Sequence, residues 1–509
     1  AYEISLGLVG SEMCIRDRVM EEGIFDLGDS EAEISRLERP ANRSNWATPD
    51  GAILDLIVPP TVYPPREDTD LLCRTIRTLG PGKGQRCLEI GSGSGAVALY
   101  AASLGYRVRA CDINPYAVAS TRENAKRLNL EVEVHEGGPG PNEDGSVAQW
   151  AGKKPHDLIV WNLPYLDEEH VQGDVLGPME EAALVDTDQK GLVSRLMTQV
   201  KKNSLLTNQG MILLLVGGNS KGSNAENEAQ RHGFAARCVA THSFEDGETL
   251  RVIALWTPYA SSKIHQHDVV DSTNQLALDT GEQEGDLFLA RRQSAGRGRR
   301  GRTWSSEEEA FAGSWLLRKG RFSDHPGLVQ ILSGYAVYVT NKLLGASEMN
   351  MALKWPNDVY MVQNKLAGKV SGVLVEGKSK GNANTIVVGI GVNFQGPLAN
   401  KQAFPIAYLG REIEGVHRDE FTSTLNAVMA SFFEHRKGIK PPVFEPHIPA
   451  LVAHLKHGER ILGHPYYRNQ QWVISDLDSQ GNLVIENGDG EQAIITDGED
   501  IHWPNLKSD

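Results

Sequence analysis

The sequence predicts a multidomain protein of mixed class, an α/β unit followed by an α+β unit and a small all-β module. Three observations predict it. At 509 residues the chain exceeds what one core supports, and its length points to about three domains. From Ile53 to Trp256 short strand-like runs alternate with helix-like ones, which argues for a parallel sheet covered by helices. Gly458–Trp503 alternates apolar and polar residues around turns at Gln480-Gly481-Asn482 and Asn487-Gly488-Asp489-Gly490, the pattern of a small barrel.

The elements follow in chain order. Residues 1–25 are set apart as a lead-in: Ala1–Arg18 has no long apolar core and no small-residue cleavage site, which makes a poor signal peptide, and Met20 is read as the start. Strands are expected at Arg86–Ile90, Arg107–Asp112, Leu130–His135, Asp157–Trp161, Met211–Val216 and Leu250–Trp256. Helices are expected at Asp70–Leu79, Ala96–Leu104, Ala117–Leu128 and Leu192–Leu205, with Gly137–Trp150 a surface loop. These make a first domain over residues 26–257, followed by a polar linker at 258–264. The second domain, 265–450, is read with strands at Phe288–Arg291, Ser314–Leu317, Val373–Val375 and Thr385–Gly389. Its helices are read at Asn274–Thr280, Gly327–Leu343 and Glu420–Lys437. Residues 451–509 form the β module.

Bulk composition narrows the function classes. The 51 Lys+Arg against 66 Asp+Glu leave a net charge of −15, unlike the basic face of a generic nucleic-acid binder. Five scattered cysteines form no CxxC pair, the usage of a reducing, cytoplasmic compartment. No apolar run approaches the roughly 18 residues of a membrane span.

Two stretches carry chemistry. The first is Leu88-Glu89-Ile90-Gly91-Ser92-Gly93-Ser94-Gly95, which ends a strand and opens a helix. Glycines there let the backbone approach a ligand, and free N–H groups favour negative charge. Asp112 lies 17 residues on, at the end of the next strand, where a carboxylate suits the two hydroxyls of a ribose. Asn162-Leu163-Pro164-Tyr165 follows a third strand. An amide oxygen and a neighbouring carbonyl accept two hydrogen bonds from a planar NH2 group, an aromatic stacks on its plane, and placement beside an electrophilic methyl supplies much of the rate.

With Val62-Tyr63-Pro64-Pro65-Arg66-Glu67-Asp68-Thr69 upstream, these residues resemble the HemK family of class I S-adenosylmethionine-dependent methyltransferases over Val62 to Trp256. The resemblance implies a Rossmann-like sheet and methyl transfer to a glutamine of a release factor or a ribosomal protein. It implies a cofactor site of Thr69, Glu89, Gly91, Gly93, Gly95, Asp112 and Asn162, with Asn162, Leu163, Pro164 and Tyr165 on the methyl acceptor. Family members read Asn-Pro-Pro-Tyr where this chain has Asn-Leu-Pro-Tyr, which leaves the acceptor open. Adenine N6 of a nucleic acid is the rival substrate, and an inactive scaffold the other alternative.

The second stretch is Gln293-Ser294-Ala295-Gly296-Arg297-Gly298-Arg299-Arg300-Gly301-Arg302-Thr303-Trp304. Four arginines and three glycines in seven residues disfavour a helix or strand interior. Such a loop is expected to be mobile when empty and ordered by an anion, since guanidinium offers forked donors to phosphate. Downstream, Lys354-Trp355-Pro356-Asn357-Asp358 ends in turn residues; Lys354 suits a phosphate and Asp358 a magnesium ion. Lys369 enters the run Val370-Ser371-Gly372-Val373-Leu374-Val375-Glu376, and Gly389-Ile390-Gly391-Val392-Asn393 follows.

With Asp271-Ser272-Thr273-Asn274 ahead of them, these five motifs in order resemble bacterial biotin protein ligases from His265 to Trp503. The resemblance implies a biotin/lipoate-ligase-type α+β domain and an SH3-like β-barrel. It implies biotinylation of a lysine on the biotin carboxyl carrier protein of acetyl-CoA carboxylase through biotinyl-5′-AMP. Biotin would meet Ser272, Thr273, Gln293, Arg297, Arg299, Lys369 and Gly372. ATP and the adenylate would meet Arg297, Arg302, Trp304, Lys354, Asn357, Asp358 and Asn393, with Mg2+ near Asp358. Lys369 and Arg299 carry the catalysis on this reading. Because Lys365-Leu366-Ala367-Gly368 precedes Lys369-Val370-Ser371-Gly372, Lys365 competes with Lys369 for that role. Lipoate ligase and biotin-sensing repressor are the alternatives. No operator DNA and no membrane partner are expected.

Overall fold

The structure is a computed structural model that describes residues 41–140, 147–164, 191–218, 224–245, 247–304, 310–322, 324–380, 383–396 and 405–506. The expected lead-in, Met20 and Tyr165 lie outside them. The chain divides into two compact units. One holds the chain up to Ala229 with Arg237–Trp256, the other Gln230–Ala236 with everything from Thr257.

The first unit opens with a hairpin, β1 (Asn42–Ala47) and β2 (Ile53–Val58), and the helix α1 (Glu67–Thr78). There follow β3 (Arg86–Ile90), α2 (Ala96–Ser103), β4 (Arg107–Asp112), α3 (Pro115–Arg127), β5 (Val132–Glu136), α4 (Val147–Trp150) and β6 (His156–Asn162). The unit closes with α5 (Leu192–Lys202), β7 (Leu206–Gly217), α6 (Ala225–Arg231), β8 (Ala235–Ser243) and β9 (Thr249–Trp256). The sheet order is β5-β4-β3-β6-β7-β9-β8. β3 lies parallel to both β4 and β6, while β9 runs antiparallel to β7. The order reverses at β3, so a crevice opens beyond the C-terminal ends of β3 and β6. The apolar strands fill the core: Met211 through Val216 are all buried.

Boundaries move for local reasons. α1 starts three residues before the expected Asp70, because the Thr69 hydroxyl accepts a hydrogen bond from the Arg66 N–H (3.2 Å) and caps its first turn. α3 starts at Pro115, where the Asn114 side chain accepts from the Tyr116 N–H at 2.9 Å. The helix expected to reach Leu205 stops at Lys202: Ser204 has φ +50°, and β7 begins at Leu206 rather than Met211.

The second unit contains β10 (Ile264–Val270), α7 (Thr273–Thr280), β11 (Leu287–Gln293), β12 (Phe311–Gly320), α8 (Pro326–Leu343), β13 (Met351–Lys354) and β14 (Asp358–Gln363). It continues with β15 (Leu366–Lys380), β16 (Ala383–Val392), α9 (Arg418–Phe433) and α10 (Ile448–Leu462). Its sheet order is β10-β11-β12-β16-β15-β14-β13, antiparallel except for β10 with β11. Ile264, read as linker, is the first residue of β10. α9 stops four residues before the expected Lys437, because Glu434 turns extended with ψ 127°.

The division read between 450 and 451 falls inside α10, so that boundary and the β stretch read from Gly458 are corrected. Gly458 lets α10 lie directly on β13, since a Cβ there would stand 2.5 Å from the Leu353 carbonyl oxygen. Gly458→Ala is expected to lower stability by about 1–3 kcal/mol, read as a shift in the urea midpoint. The remaining strands are β17 (Tyr466–Tyr467) with β18 (Gln470–Gln471), and a meander of β19 (Val473–Leu477), β20 (Leu483–Glu486) and β21 (Gln492–Ile495). Trp472, Ile474, Leu483, Ile485, Ile495 and Trp503 are buried around them. Among the described residues no helix is long and apolar enough to cross a membrane.

Candidate functional site

Each unit gathers one site. In the first, the β3–α2 turn has Gly91, Gly93 and Gly95 at φ +71°, +51° and +86°, which L side chains rarely adopt. Gly95 is also closely packed, since a Cβ there would lie 3.0 Å from Thr121 Cγ2 and 3.2 Å from its Cα. Asp112 braces the turn: its carboxylate accepts from the Gly93 N–H at 2.9 Å and the Asn114 N–H at 2.8 Å. Burial pushes the Asp112 carboxyl up, opposed by those backbone donors. Each oxygen keeps a further lone pair for a ligand. Glu89 is buried, its Oε2 lacks a partner among the described residues, and burial pushes it well above the usual carboxylate range.

Asn162 ends β6, beside the turn; Gly91 has the neighbouring Trp161 indole against it. The Asn162 amide donates from Nδ2 to Asp68 Oδ2 at 2.8 Å, while its Oδ1 is buried and lacks a partner among the described residues. Leu163 is buried and donates its N–H to the Leu215 carbonyl at 3.1 Å, and Pro164 is buried beside it. Thr69 caps α1 and contacts Asp68 Oδ1 at 3.2 Å, so its hydroxyl is already engaged. Asp68 was not singled out by sequence reasoning. The signal was present, since it sits within the upstream segment.

In the second unit, β14 and β15 position the central lysine. Val359 pairs with Ser371 but Tyr360 pairs with Lys369, which leaves Val370 as a bulge. A bulge re-aims the neighbouring side chain. It turns Lys369 toward Gly372, where a Cβ would stand 3.1 Å from Lys369 Cε and 3.1 Å from Trp304 Cζ3. Lys369 Nζ lies 2.7 Å from Asp358 Oδ1 and 5.6 Å from the centre of the Trp304 ring. Trp304 also lies against Gly391, whose Cβ would come within 2.5 Å of it. Lys365 is exposed, at φ +65° in the turn of the same hairpin. Asp358 pairs with Gly372 at the other end, roughly 17 Å away at the rise of a strand. The two lysines left open by the sequence are therefore separated: Lys369 joins the cluster and Lys365 does not.

A polar wall stands nearby. The Thr273 N–H donates to Gln293 Oε1 at 2.8 Å, and Ser314 Oγ lies 2.7 Å from Thr273 Oγ1 and 2.6 Å from Asn274 Oδ1. Ser272 caps α7, accepting from the Gln275 N–H at 3.4 Å. Ser314 and Asn274 were not predicted as site residues. Ser314 hides in an apolar strand.

The arginine loop has contacts of its own. The Gly298 N–H donates to the Arg302 carbonyl and the Trp304 N–H to the Gly296 carbonyl, which closes residues 296–304 on themselves. Arg297 lies 3.5 Å from Glu376 and 3.1 Å from Gln275 Oε1. Arg299 and Arg300 face Asp497, and Arg302 lies 2.8 Å from Glu499. A pocket of about 520 Å³ is lined by the loop with Leu374 and Glu376, within the size range of ligand sites.

The Lys-Trp-Pro-Asn-Asp segment is mostly committed to structure. Trp355 Nε1 donates to the Gly481 carbonyl at 2.8 Å, and Asn357 Nδ2 donates to the Val373 carbonyl at 2.9 Å. Asn393 Nδ2 donates to the Lys369 carbonyl at 3.1 Å, fastening the bulge. Lys354 Nζ stands 5.9 Å from the Trp503 ring centre, and burial pulls its pKa down against the opposing effect of Asp358. Asp358, the expected magnesium contact, is paired with Lys369. Among the described residues no group of three His, Cys, Asp or Glu could hold a metal.

A sequence profile of the Biotin/lipoate A/B protein ligase family matches residues 267–393, which hold all of these second-unit positions except Gly481, the acidic pair and Trp503. Biotin–[acetyl-CoA-carboxylase] ligase of Paracoccus denitrificans is 30% identical over 233 residues, covering 44% of this chain and 94% of that protein. The chain belongs to the biotin protein ligase family. The bifunctional ligase/repressor BirA of Escherichia coli is 37% identical over 233 residues, 43% of this chain and 67% of that protein.

The ligase half accounts for the second unit only. The profile of the Methyltransferase small domain matches residues 67–203. Release factor glutamine methyltransferase of Neisseria gonorrhoeae is 31% identical over 182 residues, 35% of this chain. The chain spans 63% of that relative's length.

Proposed function

We propose that this chain joins two enzymes. The ligase half activates biotin with ATP and passes the biotinyl group to a lysine on a biotin carboxyl carrier domain. The placement of Lys369, turned by a bulge to lie between Asp358 and the Trp304 ring, carries the reading. A carboxylate and a phosphate repel each other as the biotin oxygen approaches the α-phosphorus of ATP. An ammonium group between them lowers that barrier. Pyrophosphate leaves, and the carrier lysine then attacks the carbonyl of biotinyl-5′-AMP and releases AMP.

Ser272, Thr273 and Gln293, with Ser314, supply polar partners for the biotin ring. Arg297 and Arg299 answer its carboxylate, while Arg302, Trp304 and Lys354 serve the nucleotide. Asn357 and Asn393 act by holding backbone, and Gly372 by leaving room. Magnesium, on this account, arrives on the phosphates of ATP. The five short strands after α10 are taken as the SH3-like module.

The arginine loop gives an inexpensive test. Arg300 and Arg302 are 58% and 66% exposed, so their ion pairs are each worth only about 0.2–1 kcal/mol and are screened by salt. Trypsin cleavage within Arg297–Arg302 of the empty protein should quicken with added salt, relative to a peptide control. Biotin with ATP should slow it. Equal protection by lipoate with ATP would favour a lipoate ligase. Operator binding is not expected, and a sequence-specific gel shift would contradict that.

The first unit, on this proposal, moves a methyl group from S-adenosylmethionine to a glutamine of a release-factor-type protein. When bound, the cofactor supplies an electrophilic methyl. Gly91, Gly93, Gly95, Asp112 and Glu89 hold it, and the Asn162 oxygen accepts a hydrogen bond from the substrate amide N–H. The acceptor oxygen of Asn162, buried and unmatched among the described residues, supports this reading over an inactive scaffold. Labelled methyl transfer to release factor, compared with transfer to adenine-containing DNA, decides between the two acceptors.

A further inference from the structure

An asparagine can face a site with either end of its amide, and the two ends are nearly the same shape. Only the oxygen accepts a hydrogen bond. What fixes the choice here is a carboxylate, which when ionised can only accept.

Asp68 is 2% exposed at the start of α1. Its Oδ1 accepts from the Thr69 N–H at 2.6 Å and lies 3.2 Å from the Thr69 hydroxyl. That grip leaves Oδ2 pointing at Asn162, whose Nδ2 donates to it at 2.8 Å. Turning the amide over would set oxygen against oxygen in a buried place, at the cost of an unmade hydrogen bond. From this geometry we infer that Asp68 is a positioning residue, which commits the Asn162 oxygen to the methyl acceptor. The inference rests on the methyltransferase reading of the first unit and deepens it. It also defines the acceptor as a group presenting N–H to that oxygen.

The substitution Asp68→Asn makes the prediction sharp. The oxygen of the introduced amide can still accept from both Thr69 donors, which keeps the start of α1 in place. Its nitrogen then faces Asn162 and draws the Asn162 oxygen away from the acceptor. The exchange D68N/N162D restores the polarity. The amide introduced at position 68 donates, one oxygen of the carboxylate introduced at position 162 accepts, and the other faces the substrate.

The experiment measures labelled methyl transfer by the full chain, with S-adenosylmethionine affinity followed by calorimetry. D68N is expected to lose about 10²-fold in kcat, the scale of a misplaced reacting group, with cofactor affinity and melting temperature held near wild type. The double exchange is expected to regain about tenfold over D68N. A wild-type kcat in D68N, or a double variant no better than D68N, overturns the inference while the methyltransferase reading stands. Failure of the wild-type chain to methylate either protein glutamine or adenine overturns both.

Discussion

Lys369→Ala is expected to slow formation of biotinyl-AMP by about 10²–10³-fold, the loss seen when one fixed electrostatic contact to a transition state is removed. Two effects add. The ammonium that screens carboxylate from phosphate is gone, and Asp358, whose Oδ1 it held at 2.7 Å, is left as an unpaired negative charge facing incoming anions. The companion Asp358→Asn in the same chain should relieve the second effect, restoring stability and only the smaller part of the rate. Lys365→Ala is the control. Lys365 is exposed in the β14–β15 turn, where a surface substitution changes stability by about 0.5 kcal/mol or less, so its rate should match wild type. Single-turnover measurement with labelled biotin reads all three. Equal losses at both lysines would mean the bulge does not select between them.

Asn162→Ala is expected to lower methyl transfer by about 10²–10³-fold in kcat, because the lost acceptor acts as the substrate nitrogen loses its proton. Affinity for S-adenosylmethionine should hold near wild type, since on the proposed reading the cofactor is held by the β3–α2 turn and Asp112, which Asn162 does not brace. A fall in cofactor affinity with unchanged kcat would instead place Asn162 on the cofactor.

The core of both sheets was legible in the sequence. Met211–Val216 of β7 is an unbroken apolar run ended by glycine and buried throughout, and burial on both faces leaves that signature. What escaped was partly exposed or interrupted. β10 reads Ile-His-Gln-His-Asp-Val-Val, an edge strand with Ile264 and Val269 exposed, so its polarity hides it. β13 and β14 flank the Lys-Trp-Pro-Asn-Asp turn, which reads as a motif before it reads as a hairpin. α10 crosses the expected boundary because Gly458, a helix breaker by composition, is there for close packing on Leu353.

The sites divide along the same line. Local motifs gave the glycine turn, Asp112, Asn162, the arginine loop and Lys369. Partners distant in sequence were out of reach. Asp497 and Glu499 meet arginines 197 residues away, and Asp68 meets Asn162 across 94. The choice between Lys369 and Lys365 needed a register shift at Val370 that no spacing rule discloses.

Exchange of labelled pyrophosphate into ATP by the purified full chain, with biotin and no carrier protein present, tests the central claim most directly. Exchange that requires biotin, is unsupported by lipoate and disappears in Lys369→Ala is the predicted result. Exchange absent with biotin, or undiminished without Lys369, would contradict the account.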